Sequence, residues 1–487
     1  MKVYCIVIIS IFFYTKEARS QDPVLEKEIN ISEVFKSSSD SYDYALLTDP
    51  KDSLNVLFLI GRQFAASNTL MISGLQFHSN FEDHISSVYS EKVLSTSYNQ
   101  LLGGICKKNI SSLFLSKKSK KEFSILSIDF ENGTSKVIGI DLKLKKEILI
   151  GSASHNGSFY LFSVRKSSSI LVMREFNEKG EFQIQDFDLS KNSGGGSFYN
   201  LYFELGSGLP LKFDIVNMGS LPYDLHESSK AHKFYAENSK CYLTIDNQHR
   251  YTSLITIDLE DKEVMVKKLP TAFKGGSGLN RRSNSFISKD RMFQASVSRY
   301  YFALQIRDLN SDSILSTHSF SPGDDIYFRN SDLTKEKNVM INTKPKSLDT
   351  DSFLKKLSAS DISLFGRLYD GNIAMTLGGF KDQSASGAPI GSIGPVFVSI
   401  DSQASRDVYF RSYFDLEKGK HIEGEVPSSI GGRMATLKAR KSITAELSAV
   451  FTLNDKYYLG CFDKGSTYQI FELDAIPKDD KDFSDSF

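Results

Sequence analysis

Residues 126–142 read Leu126-Ser127-Ile128-Asp129-Phe130-Glu131-Asn132-Gly133-Thr134-Ser135-Lys136-Val137-Ile138-Gly139-Ile140-Asp141-Leu142. An alternating strand runs into Asp-Phe, a polar turn follows, and a second alternating strand leaves it. The phrase recurs as Glu175-Phe176-Asn177-Glu178-Lys179-Gly180, Asp214-Ile215-Val216-Asn217-Met218-Gly219, Asp258-Leu259-Glu260-Asp261-Lys262, Asp308-Leu309-Asn310-Ser311-Asp312 and Asp415-Leu416-Glu417-Lys418-Gly419. The first five copies, starting at Asp129, Glu175, Asp214, Asp258 and Asp308, are separated by 46, 39, 44 and 50 residues. Hairpins repeating at that period mark a β-propeller, in which each blade is a small sheet that cannot bury both faces alone. The acidic residue suits a strand end because its carboxylate can accept backbone N–H groups and open a turn. The Leu, Phe or Ile after it returns to the core between blades.

Working outward, period-two alternation marks strands at Ile110–Lys118, Glu122–Phe130 and Ser135–Leu142, then at Ser158–Val164, Ser169–Phe176 and Glu181–Leu189. Four-strand units follow at His232–Lys268 and Ser285–Ser319. Asn132-Gly133 is expected to form a two-residue type I′ turn, which needs φ > 0 at both positions. Residues 325–362 read as an insertion or a degenerate blade, with a short helix inside Ser347–Ser360 that carries Phe353, Leu354 and Leu357 on one side. Residues 381–395 are rich in Ser, Gly and Pro and read as a long loop. The last unit, Ala445–Asp474, offers three strands, and Glu28–Phe35 is an orphan strand that would complete it, since an open array leaves exposed edges. The count is eight blades, or seven if 193–230 is only an elaborated loop. The expected organisation is a signal at 1–20, an all-β propeller at 21–475 and an acidic tail at 476–487.

The chain has 487 residues, 36 Phe, 22 Tyr and no Trp; abundant Phe and Tyr suit half-buried pleated surfaces. Met1-Lys2, the apolar run Val3–Tyr14 and Ala18-Arg19-Ser20 before Gln21 have the pattern of a cleavable export signal. The apolar run is too short to span a bilayer, and no later segment is apolar enough, so no transmembrane segment is expected in the mature chain. Basic and acidic residues number 59 each, and cleavage after Ser20 would leave 56 and 58. That balance excludes general nucleic-acid binding, which needs a basic footprint. The group Lys117, Lys118, Lys120 and Lys121 reads as a solvated hairpin loop. Cys106, Cys241 and Cys461 are odd in number and lie in apolar strand contexts, as buried small hydrophobes do.

Catalytic signatures are missing. The Trp-Asp pair of WD40 blades and the sialidase box both require Trp. Gly103-Gly104 and Gly378-Gly379 are the only strand-end Gly-Gly pairs in the place a kelch repeat would put them, and they lack its Trp. No Gly-x-Ser-x-Gly elbow, phosphate loop, His-Glu-x-x-His pair or cofactor motif occurs. Two metal candidates remain. Asp308, Asn310 and Asp312 match the opening of an oxygen-ligand calcium loop, but Ser313 and Ser319 stand where an EF-hand has Gly and Glu. His226 and His232, with Asp224 and Glu227, form the one close His–acid group, a zinc-type donor set. Both coincide with expected turns or polar loops, and neither is expected to be a metal site. Asn30, Asn109, Asn132 and Asn156 begin Asn-x-Ser/Thr sequons, which count as glycan acceptors only in a eukaryotic chain and otherwise read as turn residues.

The signal ending Ala18-Arg19-Ser20, followed by degenerate hairpin repeats, resembles secreted or periplasmic β-propeller proteins of Bacteroidota-type bacteria. The resemblance covers the whole chain at the level of fold and transfers no functional residue. It implies a periplasmic or secreted protein, in the setting of an outer-membrane secretion or envelope assembly; the missing catalytic motifs and the long loops 190–230, 270–284, 320–362 and 381–395 point to a non-catalytic scaffold for a protein partner. The alternative is a propeller that binds or cleaves carbohydrate or another small ligand at a central channel, with carboxylates such as Asp324, Asp325 and Asp370 converging there.

Overall fold

The computed structural model describes residues 23–28, 41–49, 53–63, 69–81, 88–95, 97–98, 100–117, 122–144, 146–191, 200–206, 213, 215–218, 224–272, 281–338, 345–382, 405–428, 430–441, 448–462 and 467–473. The chain divides into a larger unit, 32–428, and a smaller one made of 1–31 and 429–487. Among the described residues the strands form seven sheets, six in the larger unit and one in the smaller. The first strand of the chain, β1 (Leu25–Glu28), belongs to the smaller unit.

The first sheet of the larger unit holds β2 (Ser41–Asp49), β3 (Leu54–Gln63), β4 (Thr69–His78) and β5 (Val88–Ser95). The second holds β6 (Gln100–Lys107), β7 (Ile110–Ser116), β8 (Phe123–Asp129) and β9 (Thr134–Ile140). The third holds β10 (Glu147–His155), β11 (Ser158–Arg165), β12 (Ile170–Phe176) and β13 (Phe182–Asp188). In the fourth, β15 (His232–Glu237), β16 (Lys240–Gln248), β17 (Tyr251–Asp258) and β18 (Glu263–Pro270) follow the same antiparallel meander. A short strand, β14 (Ile215–Asn217), lies parallel to β15 at its edge. The fifth holds β19 (Arg282–Ser288), β20 (Arg291–Ser298), β21 (Tyr301–Asp308) and β22 (Ile314–Phe320). In the sixth, β25 (Asp361–Tyr369), β26 (Asn372–Asp382) and β27 (Ser405–Asp415) are continued outward by β23 (Thr334–Asn338) and β24 (Lys346–Ser347). This succession of small antiparallel meanders is the repeated-sheet architecture of a β-propeller.

Neighbouring sheets pack face to face. Apolar clusters join the first and second sheets (Phe58, Leu113, Phe130), the second and third (Phe114, Phe159, Phe176), the third and fourth (Phe162, Phe234, Ile255), and the fourth to sixth (Phe293, Phe302, Phe410). Each fully buried Phe contributes about 1.5–3 kcal/mol by leaving water. First strands of adjacent sheets meet closely because they carry small residues. Ser152 and Ser154 Oγ on β10 donate to Leu102 O and Gly104 O on β6, each at 2.5 Å. Two steps along one strand match two along the other, so the two strands run the same way. A Cβ on Gly104 would lie 2.6 Å from both Leu47 Cδ1 on β2 and Ser112 O. Glycine permits that approach.

The recurring phrase proves to be an end-of-strand device. Asp129, Asp258, Asp308 and Asp415 each close the third strand of their sheet, and the Oδ1 of each accepts two backbone N–H groups of the turn that follows. The next residue's N–H bonds back to the turn between the first two strands, as Leu259 N does to Ser239 O at 2.8 Å. Phe130 and Leu259 are buried. In the third sheet the task passes to Asn177, whose Oδ1 accepts Lys179 N and Glu181 N, both at 3.0 Å.

Two expectations, at 132–133 and 214–219, are placed differently. At Asn132-Gly133 only the glycine has positive φ (+60°), because Asp129 holds a four-residue turn there. Type I′ geometry occurs instead at Asn156-Gly157 and Asp370-Gly371. The phrase at 214–219 heads no sheet of its own: Asp214 lies outside the described residues, and Ile215–Asn217 is the parallel edge strand β14. Within 325–362, β23 supplies an outer strand to the sixth sheet, and α3 (Thr350–Leu357), capped by Asp349, buries Phe353, Leu354 and Leu357. Two earlier helices, α1 (Leu201–Leu205) and α2 (Leu225–Ser228), precede the fourth sheet.

In the smaller unit, β28 (Ala449–Leu453), β29 (Lys456–Phe462) and β30 (Thr467–Glu472) form a meander. Strand β1 pairs antiparallel with β30, Leu25 opposite Ile470 and Glu28 opposite Thr467. The N-terminal strand thus starts upstream of the expected Glu28–Phe35, because Leu25 is the side chain that can be buried there; residues 29–40 lie outside the described residues. An unexpected helix, α4 (Ile430–Lys441), completes this unit, and Arg433 donates to Leu473 O at 2.9 Å. Cys106, Cys241 and Cys461 are buried.

Candidate functional site

Strand alternation gives the larger unit two unlike faces. Turns between first and second strands and between third and fourth strands share one end of the sheets. They are mostly tight, and polar contacts join them from sheet to sheet. Lys262 Nζ reaches Glu175 Oε2 at 2.7 Å, His155 Nε2 lies 3.2 Å from Glu260, and Lys240 Nζ donates to Asn310 Oδ1 at 3.2 Å. Tyr242 OH donates to Asp290 Oδ1 at 2.5 Å, and Arg291 Nε donates to Leu416 O at 3.1 Å. The other end carries the connections between second and third and between fourth and first strands, including the long ones at 189–231, 271–281, 321–360 and 383–404, whereas the long segment 416–448 starts at the turn end, after β27.

A cavity of roughly 410 Å³ opens at that loop-bearing end, lined by Asp246, His249, Arg281, Arg282, Asn284 and Asp361 among others. Its floor is a buried polar network. Asp246 Oδ2 accepts Ser285 N (2.9 Å) and Ser285 Oγ (2.7 Å), and its Oδ1 accepts Thr252 Oγ1 (2.5 Å). Lys233, fully buried, lies 4.0 Å from Asp246 and donates to Asn284 Oδ1 and to Ser285 O (2.8 Å). Burial pushes the Lys233 ammonium down to about 8, with Asp246 pulling the other way. Asn284 Nδ2 donates to Ser229 O (3.2 Å) and Ile362 O (2.5 Å), which ties the fourth, fifth and sixth sheets together. With its polar groups so engaged, the floor serves as a rigid base. The rim carries the remaining charge, including the Arg282–Asp361 pair.

A second cavity, about 520 Å³, lies beside the outer part of the sixth sheet and is lined by Asp325, Tyr327, Arg329, Asp332, His421 and Glu423 among others. Asn330 organises it: its Nδ2 donates to Ile422 O and Gly424 O, both at 2.8 Å, so its Oδ1 must accept from Tyr413 N (2.7 Å) and His421 Nε2 (2.9 Å). Next to it, His318 Nε2 can only donate to Gly419 O (3.0 Å). Its Nδ1 therefore accepts the Tyr327 hydroxyl at 3.0 Å and fixes that 60%-exposed ring. Burial holds both His318 and His421 below the usual histidine range.

The residues singled out in the sequence lie elsewhere. Asp308 accepts Asn310 N (2.8 Å) and Ser311 N (3.3 Å) and pairs with Arg291 (3.2 Å). Burial pushes its pKa up, but those N–H groups and the guanidinium outweigh that and keep it low. Asn310 Nδ2 donates to Asp290, and Asp312 pairs with Arg307 and Lys267, each at 3.2 Å, so the calcium-loop oxygens face protein donors. Asp224 is the N-cap of α2 and accepts Glu227 N at 2.6 Å. The His226 ring packs 4.7 Å from Phe380, while His232 is buried on β15 and held low by burial. Among the described residues no three His, Cys, Asp or Glu side chains are placed to share a metal ion. Asp325 lines the second cavity, Asp324 accepts Ser321 N nearby, and Asp370 sits in the β25–β26 turn, so this trio does not converge. Lys117 pairs with Glu122 at 2.6 Å; residues 118–121 lie outside the described residues. No described helix is long and apolar enough to cross a membrane.

No protein-family model and no curated protein matches this chain. Among solved structures, the Dos1 propeller is 11% identical over 93% of this chain and 95% of its own, with a TM-score of 0.34. The β-propeller domain of the Trilobed protease from Pyrococcus furiosus is 9% identical over 91% of this chain and 97% of its own, at 0.33. Cobalt-substituted Synechocystis ACO is 8% identical over 64% of this chain, at 0.31, and the chain spans only 65% of its length. Likenesses this faint carry nothing about activity.

Proposed function

We propose that this chain is an exported, non-catalytic scaffold that engages a protein partner through the loop-bearing end of its sheets. In this reading the sheet in which β1 pairs with β30 is itself a four-stranded blade. One observation carries the functional part: four long connections, 189–231, 271–281, 321–360 and 383–404, leave the same end, while most turns of the opposite end are short and latched to one another. Binding residues gather on loops held by a rigid scaffold, and the mixed charge of the Arg282–Asp361 rim suits a polar protein surface. Export rests on the signal pattern at 1–20. The partner is a member of a membrane-associated assembly, so gentle extraction should recover the chain in a stoichiometric complex. Recovery solely as a monomer under the same conditions would count against the proposal.

The second cavity favours a different reading, a saccharide-type ligand. An exposed aromatic ring held in place, with Asp332, Glu423 and Arg329 around it, is the mixture of flat apolar surface and hydrogen-bonding groups that such a ligand meets. Calorimetric titration with neutral oligosaccharides tests it; heat of binding that disappears in Tyr327→Ala would support this reading, and no heat at millimolar ligand would remove it.

A further inference from the structure

Three of the four sequons lie on one small patch of the turn face. Asn109 is in the β6–β7 turn, Asn132 in the β8–β9 turn and Asn156 in the β10–β11 turn, and all three are exposed. They are neighbours in space as well. Phe130 N donates to Asn109 O at 2.9 Å, and Asn109 Nδ2 donates to Glu131 Oε2 at 3.2 Å, which joins the two turns of the second sheet. The Asn156-Gly157 turn of the third sheet reaches the same place: a Cβ on Gly157 would lie 3.9 Å from Lys107 Cδ.

We propose that Asn109, Asn132 and Asn156 carry N-linked glycans that cover this part of the turn face. The reaction uses a sugar carried on a lipid pyrophosphate. Asparagine Nδ2 forms a bond to C1 of the sugar, the bond from C1 to the pyrophosphate oxygen breaks, the lipid pyrophosphate leaves, and Nδ2 loses one proton. Each Nδ2 has a second hydrogen, so the exposed bond from Asn132 to Asp129 Oδ2 (2.8 Å) and that from Asn109 to Glu131 can persist after modification. No buried contact has to be broken, because the three amide groups point from exposed turns; a bulky, solubilising group belongs on such a surface. Ser111, the hydroxyl residue of the Asn109 sequon, is buried in the finished fold, so that site must be modified before β7 is in place. This requires a chain that is still unfolded as it enters the secretory lumen.

The inference rests on export, and one experiment separates the two. The full chain is recovered from its own cells, treated with a peptide N-glycosidase, and read by peptide mass spectrometry. The expected result is a mature N-terminus at Gln21 and conversion of Asn109, Asn132 and Asn156 to Asp. Unmodified asparagine at these positions in a chain that starts at Gln21 overturns the glycan inference and leaves export standing. An intact Met1 overturns export itself. Thr134→Val removes one sequon at an exposed strand start without touching the turn, and it should shift the gel band down by one glycan; an unchanged band contradicts modification at Asn132.

Discussion

The aspartate of the recurring phrase acts as a hydrogen-bond acceptor. Asp258 takes Glu260 N at 2.9 Å and Asp261 N at 3.1 Å, a job its oxygen does with or without a full charge. Asp258→Ala should therefore cost about 1 kcal/mol in urea unfolding, and Asp258→Asn should cost clearly less. Equal losses would mean the charge, not the acceptor, holds the turn. Burial holds His232, His318 and His421 below their ordinary range, so as pH falls the unfolded chain takes up their protons first. Stability from these residues is complete above pH of about 6.5 and is lost progressively below it. The buried Glu237, raised chiefly by desolvation, opposes this trend in the acid range only. Urea midpoints should drop between pH 7.5 and pH 5.5, and the drop should shrink in His318→Gln; a flat profile would contradict the assignment.

At the scale of elements, the seams between sheets depend on small residues in the first strands. Gly104→Ala would drive a Cβ into Ser112 O and Leu47, and it should cost about 1–3 kcal/mol by overpacking. Gly139→Ala, on the outer strand β9, meets nothing within 4 Å and serves as the control. Equal melting temperatures for the two variants would mean that the first strands are not packed as described. Much of this level is legible in the sequence. The Asp-Leu phrase marks third-strand ends, and alternation locates the strands of the second to fifth sheets, because each needs one apolar face per neighbour. The remainder depends on context. Helix α4 carries Gly431 and Gly432 and only a thin apolar stripe, so periodicity does not reveal it. Strand β23 joins its sheet by pairing with β27, whose partner residues lie far along the chain. The cavity linings are equally hidden, since Asp246, Arg282 and Asp361 come from three sheets and share no spacing.

At the scale of the whole molecule, the claim is that one end of the sheets is reserved for a partner. Lysines sample both ends. Lys166, Lys268 and Lys381 lie at the loop-bearing end, whereas Lys108, Lys179, Lys289 and Lys418 lie in the turns of the other. Amine cross-linking of the natively extracted complex, read by mass spectrometry, therefore tests the account most directly. Cross-links to the partner should come from Lys166, Lys268 and Lys381 and be missing from Lys108, Lys179, Lys289 and Lys418; the reverse distribution would contradict it.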